Sequence, residues 1–341
     1  MLTLRNALLS STAAILVVAP SMANAQSSGI DLLTLTVSNA QLIAGANVNA
    51  AKASPFGQFM LMKIQPGDMG LQQFINETGF NPFNDVSEIV VSSDSAPGPS
   101  AHWMVAARGI FGPAMSRVEA KAAEDNLSVT HLAGVDVIEV NSGAPGATTS
   151  GAPQLCVGFY TDGATAIVGE CGAVTAAAQG QKPAGTLAAA AQTSRSTQDL
   201  WFTSVLPLPQ IGSAAPSGLA PVLNNPLLQK IQQTSGGVKF AAGGAPGVQV
   251  TGQAVMDNPQ DAMSLVNVAK FFLSFASSQT GSLPAGSTVS SLLSSVQITP
   301  AGNAVNVTLT IPETTLEQMF NAVEQGSARE QTAHLHRSQM Q

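Results

Sequence analysis

The sequence predicts an α+β protein in which one folding unit occurs twice. The triplet Ala96-Pro97-Gly98 returns as Ala245-Pro246-Gly247, and each triplet precedes a strand-like run, a helix-opening proline (Pro113, Pro259) and an apolar helix. Self-similarity in a fixed order is the mark of an internal duplication. Each unit is ordered β-α-β-β-α-β with an added strand and helix. This is the order of ferredoxin-like units, and it predicts two tandem repeats with antiparallel sheets and helices packed on one face.

Residues 1–25 have the pattern of a secretory signal peptide. Arg5 is the positive start, residues 7–18 are the apolar core, and Ala23-Asn24-Ala25 places small residues at a cleavage site. A membrane anchor is the alternative, but the apolar run is shorter than the about 20 residues that span a bilayer. We therefore expect cleavage near Ala25 and an exported protein, periplasmic or extracellular, that is soluble once cleaved.

The composition of the chain limits the classes of partner that the protein can bind. Charged residues make up 10% of the chain and hydrophobic residues 45%, so the chain has enough apolar side chains to fill a core. The net charge is −7 and basic clusters are absent from the sequence, which excludes nucleic acid as a partner because binding its phosphates requires such clusters. No mature segment is long and apolar enough to predict a transmembrane helix.

Repeat one is predicted over residues 26–185. Alternating apolar residues predict a strand at 42–48, and Ser54-Pro55 predicts a helix start because serine caps and proline suits the first turn. The elements that follow are a helix at 71–78, strands at 88–92 and 102–110, a helix from Pro113 to about 126, strands at 128–132 and 135–140, a hairpin at 155–170 and a helix at 173–179. A surface loop is predicted at 141–153.

Repeat two is predicted over residues 186–325 with the same order. Its elements are strands at 200–206, 238–242 and 248–256, a helix at 221–233 that Gly236-Gly237 ends, a helix at 260–277, strands at 289–299 and 304–311 that pair across Ala301-Gly302, and a helix from Pro312 to about 323. Residues 180–198 are the predicted junction between the copies, and 326–341 a disordered tail. The pattern leaves open whether the copies share one long sheet or form two.

The two cysteines flank the predicted hairpin. If Asp162-Gly163 is its turn, Cys156 lies opposite Gly169, and Cys171 is one diagonal step away on the same face. A disulfide is within reach, and an oxidising compartment favours it. Two free buried cysteines are the alternative.

The residues that could carry chemistry form no recognisable constellation. Nucleophile elbows, phosphate loops and glycosidase carboxylate pairs have no local signature, and His334 and His336 lie in the predicted tail. His102 and His131 are read as surface or hydrogen-bonded side chains, and Asp257 as a helix cap. We therefore assign no residue to catalysis, to a cofactor or to a metal.

One helix is apolar nearly all round, which is typical of a helix buried on several sides. It covers residues 262–276, and the main interpretation is a core helix between the sheet and the partner repeat. The alternative is an apolar groove or partner interface lined by Leu265, Phe271, Phe272 and Phe275.

Three segments resemble exported bacterial proteins of duplicated α+β type to which no function is assigned. They are Phe80–Val86, Ala107–Phe111 and Leu228–Val238. The resemblance extends over most of the mature length, and it implies an exported bacterial protein without supplying catalytic residues.

Three functions remain open at this point. The leading hypothesis is a non-enzymatic envelope or extracellular protein that binds a protein partner or a lipid-like ligand through the repeat junction. The others are a secreted hydrolase whose residues are dispersed in sequence, and a passive structural scaffold. A deep polar pocket holding His102 or His131 beside a carboxylate would favour the hydrolase.

Overall fold

The computed structural model shows one twelve-stranded antiparallel sheet flanked by helices. It describes residues 29–64, 69–96, 101–125, 127–140, 154–181, 187–207, 225–240, 247–279, 286–318 and 321. The mixed α and β content of the sequence prediction is confirmed, and of the two arrangements left open the structure has the single long sheet.

The strands and helices are numbered in chain order. The strands are β1 (Leu42–Asn47), β2 (Val86–Ser93), β3 (Trp103–Gly109), β4 (Val129–Leu132), β5 (Val135–Val140), β6 (Leu155–Tyr160), β7 (Thr165–Glu170), β8 (Leu200–Ser204), β9 (Ile231–Phe240), β10 (Gly247–Met256), β11 (Gln297–Ala301) and β12 (Ala304–Pro312). The helices are α1 (Val48–Ala53), α2 (Pro55–Ile64), α3 (Met69–Thr78), α4 (Pro82–Asp85), α5 (Gly112–Glu124), α6 (Cys171–Ala178), α7 (Leu187–Thr197), α8 (Pro259–Gln279) and α9 (Gly286–Ser295). Two 3-10 helices cover Leu32–Leu35 and Leu228–Lys230, and residues 313–318 are helical.

The sheet is built outward from a central pair of strands. Its order is β11-β12-β10-β9-β8-β1-β2-β3-β7-β6-β5-β4, so β1 and β8 join the two halves of the chain. From this pair, one half runs β1, β2, β3, β7, β6 and the other β8, β9, β10, β12, β11. Every pairing is antiparallel, whereas a split β-α-β unit of the ferredoxin type needs parallel neighbours, so the strands are not paired in that way.

Helices cover both faces of the sheet, and the prediction of helices on one face is therefore wrong. On one face, which we call the α7 face, α6, α7 and the 3-10 helix Leu32–Leu35 enclose a core that includes Ile43, Met104, Ile167 and Trp201. Arg195 fixes α7 there, because its guanidinium bonds Glu88 at 2.7 Å. The buried core on the α7 face of the first half is largely apolar, which explains why helices cover that side.

The opposite face, the α5 face, holds two separate cores. In the first half α5 packs on residues such as Ile89, Phe159 and Ile138. In the second half α8 packs on Val305 and Ile298, among others. On the α7 face of the second half, β10 and β12 instead present polar residues, such as the pair Gln253 and Asn306, whose amides are hydrogen-bonded at 2.9 Å.

The predicted disulfide is present between Cys156 and Cys171, with a Cα–Cα distance of 4.7 Å. Cys156 pairs with Gly169, as expected, although the β6–β7 loop is longer than the two-residue turn predicted. The Asp162 carboxylate accepts the backbone N–H groups of Ala164 and Thr165, which stabilises the longer loop. The register is unchanged because the loop is still centred on the same two residues.

Two predicted elements of the second half are wrong. Residues 231–233 belong to β9 and not to a helix, and Gly236 and Gly237 lie inside this strand. The missing side chains leave room for two neighbours: a Cβ at Gly236 would lie 2.8 Å from the Phe202 ring, and one at Gly237 would lie 2.6 Å from Gln198. Residues 289–295, predicted as part of the strand 289–299, belong to the helix α9, and only residues 297–299 of that predicted strand lie in β11.

The remaining boundaries were partly predicted. The 180–198 junction contains the helix α7, which packs on β8 and β1. The β11–β12 turn is centred one residue later than predicted, since Ala301 pairs with Ala304. The signal peptide, the 141–153 loop, the tail 326–341, the histidines His334 and His336, and most of the two repeated triplets lie outside the described residues.

Candidate functional site

The helix α8 is fixed at its start by local hydrogen bonds. Pro259 occupies the first turn, and the Asn258 side-chain oxygen accepts the Asp261 backbone N–H at 2.9 Å. Asn258 therefore takes the capping role that the sequence suggested for Asp257. The ammonium of Lys230 lies 2.9 Å from the Asp261 carboxylate, so α8 is also tied to the start of β9.

One side of α8 faces the sheet and is buried. Ala262, Leu265 and Val266 are all below 10% exposed and pack against Ile298 and Val305. Ala269 and Leu273 continue the same side at helical spacing and are partly buried. This side accounts for the core role that the sequence indicated for the helix.

The opposite side of α8 carries exposed aromatic rings. Phe271 is 67% exposed and Phe275 56% exposed. At 3.6 residues per turn, Phe271 lies about 180° around the helix from Ala262, so it points away from the sheet. Phe272 is partly buried beside it, with the two ring centroids 5.8 Å apart in an edge-on arrangement. We call Phe271, Phe272 and Phe275 the outer phenylalanine patch.

The four residues predicted to line one apolar groove are thus divided. Leu265 lies in the core under the helix, whereas the three phenylalanines lie on its flank and outer side. The groove itself stays a prediction. What the structure brings together is the outer phenylalanine patch, on the second half of the chain and away from the central β1–β8 pair.

Sequence reasoning missed an exposed aromatic residue outside α8, Phe202 in β8, which is 40% exposed. Trp201 and Phe202 are adjacent in a strand, so one must face each side of the sheet. Trp201 packs under α7, which leaves Phe202 on the α5 face beside Ala44 and Gly236. The consecutive aromatic pair was the signal available in the sequence.

His102 and His131 each lie beside a carboxylate, but neither is in a deep pocket. The Nδ1 atom of His102 lies 2.6 Å from Asp94, and that of His131 contacts Asp136; their side chains are 56% and 76% exposed. The Ser95 hydroxyl donates to Asp94 and not to His102. A serine nucleophile must hydrogen-bond the histidine, so this group is not a hydrolase triad.

Glu119 on α5 belongs to the His131 group. Partial burial raises the pKa of Glu119, and so do the negative charge of Asp136 and the hydrogen bond between the two carboxyl groups, while His131 opposes the shift. The group joins α5 to β5 at the outer end of the sheet. No set of three or more His, Cys, Asp or Glu side chains able to hold a metal ion occurs within the described ranges.

Among the buried residues that the structure describes, Lys52 is the one charged side chain that hydrogen-bonds only to backbone carbonyls. It is 4% exposed, and its ammonium donates to the oxygens of Val86 at 2.9 Å and Asn84 at 3.2 Å. Burial lowers the pKa of Lys52, and the nearby negative charge of Asp85 opposes this. The contacts anchor α1 to the start of β2, which is a structural role.

The substitution Lys52→Met tests this anchor. Between the lowered pKa and about 10.5, the unfolded chain holds the proton more tightly, so the free energy of unfolding of the wild type rises with pH relative to the variant. Urea unfolding from pH 7 to 11 measures the difference. If the free energy of unfolding changed with pH in the same way in both proteins, folding would not lower the pKa of Lys52, and the prediction would be wrong.

No described helix is long and apolar enough to cross a membrane. Comparisons with protein-family models, with curated proteins and with solved structures returned no match to this chain. Functional inference therefore rests on the geometry of the chain itself.

Proposed function

We propose that this chain is an exported, non-enzymatic protein that binds a partner protein or an apolar ligand through the outer phenylalanine patch of α8. The observation that carries the proposal is the exposure of Phe271 and Phe275 on the outer side of one helix. Aromatic side chains are enriched at binding surfaces, where they supply large apolar area at low entropic cost.

The size of the patch sets what a partner must do. Covering the exposed parts of two phenylalanine rings removes on the order of 250 Å² from water, worth about 6 kcal/mol before costs. Association itself costs about 4–15 kcal/mol. Burial of the two rings alone is therefore too weak to hold a complex together. A partner must also cover neighbouring surface such as Met263, which is 59% exposed.

A comparison of the two halves of the chain supports the location of the site on α8. We propose that they arose by duplication, because α5 follows β3 as α8 follows β10, with Pro113 and Pro259 in the first turns. The sequence of α5 contains no aromatic residue, whereas α8 contains three phenylalanines. A copied unit that acquired an exposed aromatic surface on one side fits a function specific to the second half.

Export is part of the same proposal. The leader pattern of residues 1–25, with cleavage near Ala25, supports it, and the Cys156–Cys171 disulfide fits an oxidising compartment. On this account the protein belongs with the exported bacterial proteins that its sequence resembles, and it acts in the envelope or outside the cell.

The double substitution Phe271→Ser with Phe275→Ser tests the binding surface. We expect it to reduce binding of the fluorescent probe 1-anilinonaphthalene-8-sulfonate, or of phosphatidylcholine vesicles, at least about tenfold, since each ring contributes about 1.5–3 kcal/mol when buried. Titration of the purified proteins gives the affinities. Because both rings are exposed, the unfolding midpoint should change little.

The matched control is Ile110→Ser, which removes a 63% exposed side chain at the end of β3. It should bind both probes like the wild type. Equal loss in the two variants would show non-specific binding, and retention of binding in the double variant, or no binding by the wild type, would favour the passive scaffold.

A further inference from the structure

His102 lies between carboxylates from two separate parts of the fold. Its Nδ1 atom is 2.6 Å from Asp94, which follows β2, and its Nε2 atom is 3.5 Å from Glu170, the last residue of β7. Glu170 also precedes α6 and the disulfide cysteine Cys171. The one imidazole ring therefore connects the β2–β3 hairpin with the junction of β7 and α6.

The surroundings of the ring are fixed by further hydrogen bonds. Asp94 accepts the backbone N–H of His102 at 3.1 Å and the hydroxyl of Ser95 at 2.9 Å. Asp94 and Glu170 are the charged groups that face the ring from the hairpin and from β7, and both are acidic. Within the described ranges, no lysine or arginine forms an ion pair with either carboxylate.

The charge state of His102 decides whether it can connect both sides. An imidazolium has two N–H donors, one for each carboxylate. A neutral imidazole has one donor, which the shorter contact assigns to Asp94. Its Nε2 lone pair then faces the Glu170 carboxylate, and the second contact becomes repulsive.

We propose that His102 is a pH-sensitive clamp, whose protonated ring ties the end of the β2–β3 hairpin to the start of α6 through Asp94 and Glu170. When the proton leaves, the ring stays with Asp94 and the contact with Glu170 is lost. The clamp is independent of the outer phenylalanine patch, which lies in the other half of the sheet.

The direction of the pH dependence follows from the two carboxylates. The hydrogen bond to Asp94 and the negative charges of Glu170 and Asp94 raise the pKa of His102 above 6.5. The pKa of Asp94 is lowered. Burial alone would raise it, but the hydrogen bonds that Asp94 accepts from His102 and Ser95 outweigh that effect. A raised folded-state pKa means that the clamp is fully present below pH 6.5 and is lost as the pH rises through the raised value.

Nuclear magnetic resonance titration of the His102 ring tests the clamp directly. We expect a pKa above 6.5 in the wild type, a lower value in Glu170→Gln, and a still lower value in Asp94→Asn. A wild-type value at or below 6.5, or a value that Glu170→Gln leaves unchanged, would overturn the proposal.

Hydrogen exchange supplies a second readout, in case a variant folds poorly. The protection factors of the amides of His102 and Cys171 should be roughly two- to fivefold higher at pH 5.5 than at pH 8.5, the range for an exposed ion pair. His102→Gln should abolish this difference. The control His131→Gln should retain it, because His131 pairs with Asp136 within one hairpin. Retention in His102→Gln would contradict the clamp.

Discussion

Replacing Gly45 by alanine is expected to lower the free energy of unfolding by about 2–3 kcal/mol. Gly45 lies in β1 opposite Trp201 of β8, at the junction of the two halves. A Cβ at this position would overlap the Trp201 ring, lying 2.6 Å from its Cε2 atom, and would lie 2.9 Å from the carbonyl oxygen of Ile89. Neither group can move freely, because Trp201 is 4% exposed under α7 and Ile89 is in the neighbouring strand. The two central strands must therefore separate or the ring must leave its site.

Gly252→Ala is the matched control for this prediction. Gly252 also lies inside a strand, β10, but a Cβ there would meet only Val307, at the ordinary contact distance of 3.9 Å. The control should be neutral or slightly stabilising, since alanine loses less conformational entropy than glycine on folding. Chemical denaturation of both variants gives the comparison. Equal effects would mean that glycine is not required by close packing at the β1–β8 pair.

Loss of the disulfide is expected to cost a similar amount. Cys156 and Cys171 are 15 residues apart, and closing a loop of that size stabilises a fold by about 3 kcal/mol. The double substitution Cys156→Ala with Cys171→Ala should therefore lower the free energy of unfolding by about that value. Cys156 is buried, so part of the loss is packing.

Reduction of the wild type separates the two contributions. Dithiothreitol should destabilise the wild type by nearly as much as the double substitution, and it should leave the double variant unchanged. A loss below about 1 kcal/mol in both measurements would contradict a stabilising role for this bond.

Much of the first half could be predicted because its signals are local. The proline at the start of α5 and the alternation in β1 each depend on a few neighbouring residues. The disulfide was predictable for the same reason, since the turn at Asp162 and Gly163 sets which residue lies opposite Cys156. Such features need no knowledge of the rest of the fold.

The second half was predicted less well because tertiary contacts decide it. Gly236 and Gly237 resemble a helix stop in the sequence, but they lie inside strand β9, where Phe202 and Gln198 occupy the space that side chains would fill. The sequence around the two glycines does not predict these contacts. The tandem ferredoxin-like arrangement is not confirmed for a related reason, since the order of elements along the chain does not determine which strands pair.

The outer phenylalanine patch shows the same limit at the candidate site. Leu265 and Phe271 are both apolar residues of one helix, so hydropathy alone does not show which of them faces the sheet. The position of α8 over β11 and β12 buries Leu265 and leaves Phe271 exposed. The sequence indicated a core helix, with an apolar groove or partner interface as the alternative, and the structure divides its residues between core and exterior.

Photo-crosslinking from the patch tests the proposed function most directly. The crosslinking amino acid p-benzoylphenylalanine would replace Phe271 in the full chain in the producing cells, and Ile110 in a control. We predict a discrete, saturable protein or lipid adduct from position 271, identified by mass, and little from position 110. No adduct from position 271, or the same adducts from both positions, would contradict binding through the outer phenylalanine patch.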